Sequence, residues 1–145
     1  MRLAYALLAE AAQFTGDGRL WLLGGGLDRA IAPGFPYTQP SMSVVVSALL
    51  PREDIRETYQ VQLRVEDPSG GQVFESVPTA LSYVDDSKIP QLPPRLSFAI
   101  TLNGMRFSME GLYAFRALVN NEEVALLTFY VQPVAAQEHT KSGNT

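Results

Sequence analysis

Apolar residues recur along this chain at every second position far more often than at helical spacing. Tyr59, Val61, Leu63 and Val65 alternate with Gln60, Gln62, Arg64 and Glu66. Such alternation predicts a strand with one core face and one wet face. Leu96, Phe98, Ile100 and Leu102 repeat the pattern, and so do Tyr113, Phe115, Ala117 and Val119. Three other runs are apolar on both faces: Leu3 to Ala12, Leu20 to Leu23, and Met42 to Leu50. A short run of that kind suits a strand buried on both sides or covered by a partner.

Turn chemistry separates the runs. Thr15-Gly16-Asp17-Gly18 predicts a hairpin that leads from the first run into a strand at Arg19. Pro33 to Pro40 holds three prolines in eight residues. Proline denies both helix and central strand, so this stretch reads as a crossing loop pinned by Phe35 and Tyr37. Pro51 to Glu57 suits a short helical turn, with proline at its start and acids early. Asp67-Pro68-Ser69-Gly70 is a β-turn, with Gln72 to Pro78 returning beside Tyr59 to Glu66. Tyr83 to Arg95 is a proline-bearing loop, and Asn103-Gly104 reads as a further turn. Gly111 to Val119 and Glu123 to Gln132 form a closing hairpin. Asn120-Asn121 sits at its tip, where residues tolerant of positive φ are wanted.

About eight short strands, with turn signals roughly every 8–12 residues, predict an all-β fold. The expected architecture is an immunoglobulin-like antiparallel β-sandwich of about seven to nine strands. Gly111-Leu112-Tyr113 adds a candidate tyrosine corner, in which a tyrosine near the start of a late strand bonds back to nearby backbone. Residues 1–133 form the single expected domain, followed by a flexible polar tail over 134–145.

Composition narrows the function classes. The chain has no cysteine, which excludes disulfides, thiolate catalysis and cysteine-held zinc. Its eleven Lys and Arg residues are scattered and the net charge is −4. Nucleic-acid binders usually carry a basic stripe, so neither nucleic acid nor an anionic membrane is the expected partner. Met1-Arg2 and the apolar Leu3 to Ala9 imitate a signal peptide. The apolar run is at the short end for one, and it reads as the first strand of a cytoplasmic domain.

Two stretches carry a resemblance. One is Ala6-Leu7-Leu8-Ala9-Glu10-Ala11-Ala12 followed by Gly18-Arg19-Leu20 and Gly24-Gly25-Gly26-Leu27-Asp28-Arg29. The other is Gly111-Leu112-Tyr113 with the closing hairpin. Together they resemble an uncharacterised bacterial domain family of unknown function, over roughly Leu3 to Val131. The resemblance implies a compact bacterial β-domain and transfers no activity and no site residues.

Candidate chemistry is sparse. Gly24-Gly25-Gly26 invites comparison with a phosphate loop, but Leu27-Asp28-Arg29 follows in place of Gly-Lys-Ser/Thr. The glycines therefore predict a bulge or sharp strand bend, with Asp28 and Arg29 forming a local ion pair. The one histidine, His139, lies in the tail, so no Ser-His-Asp triad is expected. Asp85-Asp86 could bind calcium only with further acids, for which Glu66, Asp67 and Glu75 are the candidates. No carboxylate pair is singled out for glycoside hydrolysis. Pro90-Gln91-Leu92-Pro93 reads as a stiff loop.

What remains is apolar surface. With Tyr113 to Val119 alternating into the core, Leu118 faces outward. With Phe129 and Val131 facing inward, Val124, Leu126 and Tyr130 face outward, and Trp21 lies on a strand apolar both ways. A monomer rarely leaves such a face in water. The expectation is a non-enzymatic binding or assembly module without cofactor or metal, meeting a protein partner or a second copy. Its contact residues would be Trp21, Leu118, Val124, Leu126 and Tyr130, with the outer face of Met42 to Leu50. The alternative is a small-ligand or carbohydrate site between the loops at Phe35–Tyr37 and Tyr83–Arg95.

Overall fold

A computed structural model of the chain describes residues 1–83 and 90–134. Asp85, Asp86, His139 and the tail from residue 135 lie outside the described residues. The fold is all-β. The strands are β1 (Arg2–Ala9), β2 (Ala11–Phe14), β3 (Leu20–Leu23), β4 (Arg29–Ala32), β5 (Tyr37–Leu49), β6 (Thr58–Glu66), β7 (Gln72–Glu75), β8 (Thr79–Ser82), β9 (Arg95–Phe107), β10 (Gly111–Val119) and β11 (Glu122–Pro133). These eleven among the described residues exceed the expected count, because the first apolar run breaks at Glu10 and because β4 and β8 are only four residues long. The turn predicted over Pro51–Glu57 is a short 3-10 segment at Arg52–Asp54.

The strands form a small sheet in the order β1-β5-β9, a large sheet in the order β4-β11-β10-β6-β7, and the separate hairpin β2-β3. β8 pairs with β6 beyond the end of β7. Neighbours are antiparallel except β4 and β11, which run parallel with Arg29 beside Tyr130. The core lies between the two larger sheets. Val44, Val46 and Phe98 face it from one side, and Leu63, Tyr113, Phe115 and Phe129 from the other. Phe107 closes one end, edge-on to Tyr113 at 4.7 Å and tilted against Phe129 at 5.4 Å.

β5 is the central strand. Every residue from Met42 to Ala48 is buried. Val44 and Val46 enter the core, while Ser43, Val45 and Ser47 are fully buried on the opposite face. Side-chain rungs cross that outer face to β9: Ser43 with Thr101 at 3.2 Å and Ser47 with Ser97 at 2.9 Å. β2 packs against β5 and β9 on that side. The expected outer contact face of Met42 to Leu50 is therefore covered by the chain itself, and it is not available to a partner.

Two turn assignments change. Asn103-Gly104 is not a turn but lies inside β9, where Gly104 adopts φ +71 and Gln39↔Met105 and Ser41↔Asn103 pair on either side. Pro40 of β5 sits opposite that glycine, so the last part of the expected crossing loop is strand. Proline is tolerated here because β1 accompanies β5 only as far as Ser43, and a strand with a free side needs no donor there. Tyr37 does pin this end, stacking on Phe107 at 6.3 Å and donating from its hydroxyl to Gln39 at 2.7 Å. Phe35 stays exposed.

Other local readings hold. Asn120 and Asn121 have φ +50 and +68. Gly70 N–H donates to Asp67 C=O at 2.9 Å in the predicted β-turn. The Tyr113 hydroxyl donates to Met109 C=O at 2.8 Å, which forms the tyrosine corner. That hydroxyl is the one polar atom on a ring that is otherwise core. Tyr113→Phe is expected to leave the Met109 backbone unpaired and to cost about 1–2 kcal/mol, read as a lower denaturation midpoint with an unchanged slope.

Candidate interaction surface

Polar clusters come first, because chemistry would start there. On the outer face of the large sheet, Arg116 Nε donates to Glu66 at 2.6 Å and its Nη1 donates to Glu123 at 2.8 Å. The register explains the meeting. Arg116 stands beside Arg64 on β6 and Leu126 on β11, and both carboxylates lie diagonal to it. The two carboxylates, Glu66 foremost, raise the Arg116 pKa further above its ordinary value. Arg64 Nε lies 3.5 Å from Glu75, which also accepts from Gln62 at 2.8 Å. Each acid here is engaged by a cation or an amide, which leaves none of them poised as a free base.

The candidate calcium partners are committed in the same way. Glu66 and Glu75 belong to these pairs. Asp67 accepts from the Ser69 hydroxyl at 2.6 Å and from the N–H groups of Ser69 and Gly71 at 2.9 Å each. Among the described residues, no three His, Cys, Asp or Glu side chains come together to hold a metal ion. The Arg52 guanidinium donates to Pro90 C=O at 2.7 Å and also to Leu92 C=O, so the proline-bearing loop is tied to the 3-10 turn.

The glycine stretch is a bend, as its residue types predict. Gly24 and Gly26 have φ +63 and +81. A Cβ on Gly24 would meet the Glu10 side chain at 2.7 Å, so both backbone angle and space require glycine. The N–H groups of Gly26 and Leu27 both donate to Leu8 C=O at 2.9 Å, spending on β1 the donors that a phosphate would use. Asp28 and Arg29 pair at 3.1 Å, and the guanidinium holds the Asp28 carboxyl below its ordinary pKa.

Of the alternative ligand site's second loop, the described end at Arg95 lies far from Phe35–Tyr37. Tyr37 and Leu49 mark opposite ends of β5, with Phe107 beside one and Arg95 beside the other. At ~3.3 Å per residue the ends of a thirteen-residue strand lie roughly 40 Å apart along its length. Tyr83 and Arg95 instead border a cleft of about 460 Å³ with Phe14 and the hairpin turn Thr15–Gly18.

The apolar surface residues divide. Trp21 is 63% exposed, Leu126 51% and Tyr130 42%. Leu118 and Val124 do not join them. Leu118 is only 6% exposed, between Gln62 and Glu123 on the ladder. Val124 packs against the core. The cause is a bulge: Ala117 pairs with Ala125 but Leu118 with Glu123, which leaves Val124 as the extra residue. Uninterrupted alternation counted back from Phe129 puts Val124 on the wrong face. In exchange, the outer face includes Leu112, which alternation from Tyr113 implies and which is the cross-strand neighbour of Tyr130, and Ile31, which the parallel pairing of β4 with β11 sets diagonal to Tyr130. Leu112 is 52% exposed and Ile31 40%.

These features define a class: an all-β domain with several paired surface ions and a set of exposed apolar side chains on its outer sheet face. A family model matches residues 4–132, and the chain belongs to that family, the family of unknown function DUF6941. A search of curated proteins returns no match. Among solved structures, the chain is similar to Pseudomonas fluorescens alkylpurine DNA glycosylase AlkC bound to DNA containing an abasic site analog. The identity is 11% and the TM-score 0.43, over 88% of this chain and 30% of that one. The chain thus spans less than a third of that protein, and nothing about activity follows from the likeness. No helix among the described residues is long and apolar enough to cross a membrane.

The Asp67 turn yields a pH expectation. The Ser69 hydroxyl and the Gly71 N–H hold the Asp67 carboxyl below the ordinary carboxylate range. A depressed carboxylate contributes stability above its unfolded pKa of about 4, and that stability is lost as pH falls through the lower folded value. The gap in urea midpoint between wild type and Asp67→Ala should therefore be widest near neutrality and narrow below about pH 4. A gap that is constant across that range would contradict the assignment.

Proposed function

We propose that this protein is a non-enzymatic binding or assembly module, a homo-oligomer or a small subunit of a bacterial protein complex. The observation that carries this reading is the outer face of the large sheet. Leu112, Tyr130 and Ile31 stand there as cross-strand and diagonal neighbours on three adjacent strands, and Leu126 lies on the same face of β11 beyond Thr128, each at least 40% exposed. A contiguous apolar sheet face in water favours burial against another protein. The half-buried Glu66–Arg116–Glu123 network beside it is rigid and already paired, which suits the polar rim of an interface.

The frame is read as an immunoglobulin-like sandwich. Three features support it: the tyrosine corner, two sheets closing over one core, and strand orders β1-β5-β9 and β11-β10-β6 that resemble the A-B-E and G-F-C orders of that class.

Leu126→Lys with Tyr130→Lys is the test. Both positions are solvent-facing, so thermal stability is expected to change little, within ~0.5 kcal/mol each. Binding to the products of adjacent genes should weaken at least about tenfold. A wild-type chain that stays monomeric at high micromolar concentration and binds none of those products would overturn the reading.

A further inference from the structure

The strand β3 presents an open edge among the described residues. Among the described residues it pairs only with β2, so its other edge carries unpaired backbone groups. Its sequence, Leu-Trp-Leu-Leu, holds none of the charges, prolines or bulges that usually guard an edge. Trp21, Leu22 and Leu23 are 63%, 43% and 67% exposed. We propose that this edge pairs with the same edge of a second copy, antiparallel and about a two-fold axis, to form a four-stranded β2-β3-β3-β2 sheet. The inference rests on the assembly reading, names a second copy as partner, and adds a seam separate from the outer face of the large sheet.

The ladder determines the register. Thr15 N–H donates to Arg19 C=O at 2.9 Å, and Gln13 pairs with Trp21. In an antiparallel ladder, alternate residues direct both backbone groups to one neighbour. Arg19, Trp21 and Leu23 therefore face β2, and the N–H and C=O of Leu20 and Leu22 point to the open side. A second β3 satisfies them when Leu20 meets Leu22 of the other copy and Leu22 meets its Leu20. That register places the two Trp21 side chains opposite each other on the axis, as a non-hydrogen-bonded pair in which side chains approach most closely.

Charge favours a second copy over an unrelated strand. In this register Arg19 of each copy stands beside Leu23 of the other, one residue from Gly24. The Glu10 side chain lies against Gly24, within 2.7 Å of where a Cβ would be. Arg19 is exposed and shares its charge only with the exposed Asp17 at 3.2 Å. Each end of the seam thus brings a cation of one copy toward a carboxylate of the other, twice by symmetry. Four residues make a small seam beside the ~800 Å² per partner of a standard interface, so association in the micromolar range is expected.

The experiment uses the full chain and its single tryptophan. Light scattering across micromolar concentrations should show a dimer, and Trp21 emission should move to longer wavelength as the dimer is diluted apart. Leu22→Pro removes only the open-side N–H, and Trp21→Lys replaces the axial pair at an exposed position that tolerates change. Each should weaken dimerisation at least about tenfold, while Leu126→Lys with Tyr130→Lys leaves the dimer intact. A dimer that survives both edge variants overturns the β3 seam. If it then falls to the Leu126 and Tyr130 variant, the assembly reading stands without it. A chain monomeric at several hundred micromolar also overturns the seam, and the assembly reading is then decided separately by binding to a different protein.

Discussion

The structure depends on β5 having no wet side. A strand that is buried from Met42 to Ala48 needs cover above, below and along both edges. β1 and β9 take the edges, and the large sheet covers the inner face. The outer face carries Ser43 and Ser47, whose hydroxyls would be costly to bury alone. Their partners on β9, Thr101 and Ser97, remove that cost. The chain then leaves β1 at Glu10 to lay β2 over that side, and returns through the glycine bend to join the large sheet as β4. The triple glycine exists to make that excursion possible. The N–H groups of Gly26 and Leu27 close on Leu8, and the Cβ-free surface of Gly24 accepts Glu10.

Much of this was legible in the residues. Period-two alternation located β6, β9 and β10, and the two asparagines marked the tip of the β10–β11 hairpin. Tyr113 announced its own backbone bond. What escaped had a common cause: the meaning of a residue depended on a strand distant in sequence. Asn103-Gly104 has the composition of a turn, but Pro40 sits across the ladder from it, and together they bend a continuous pair of strands. Val124 looked outward because one added residue near Leu118 shifts the phase of the strand. Met42 to Leu50 looked like an interface because nothing local reveals that β2 folds back over it. The exposed apolar set was partly legible for the same reason. Leu126 and Tyr130 follow from simple alternation, whereas Ile31 acquires its place only through the parallel pairing of β4 with β11.

The division of labour between polar and apolar groups bears on function. Several cations and carboxylates near the surface are matched, Arg116 with Glu66 and Glu123, Arg64 with Glu75, Arg29 with Asp28. Backbone donors that could cradle an anion are used internally. An interaction surface needs none of these groups to be free. It needs an apolar area and a polar margin, the roles proposed for the outer face of the large sheet and its paired ions.

The parallel pairing of β4 with β11 has a consequence for how the chain is made. Arg29 and Tyr130 stand side by side, although almost the whole domain separates them in sequence. Closing so long a loop is entropically late, and it must wait until the last strand has left the ribosome. Until then the amino-terminal third, with its apolar hairpin, has no large-sheet edge to anchor it. The interval between synthesis of β3 and arrival of β11 is the period in which a nascent chain is most open to pairing with the wrong neighbour.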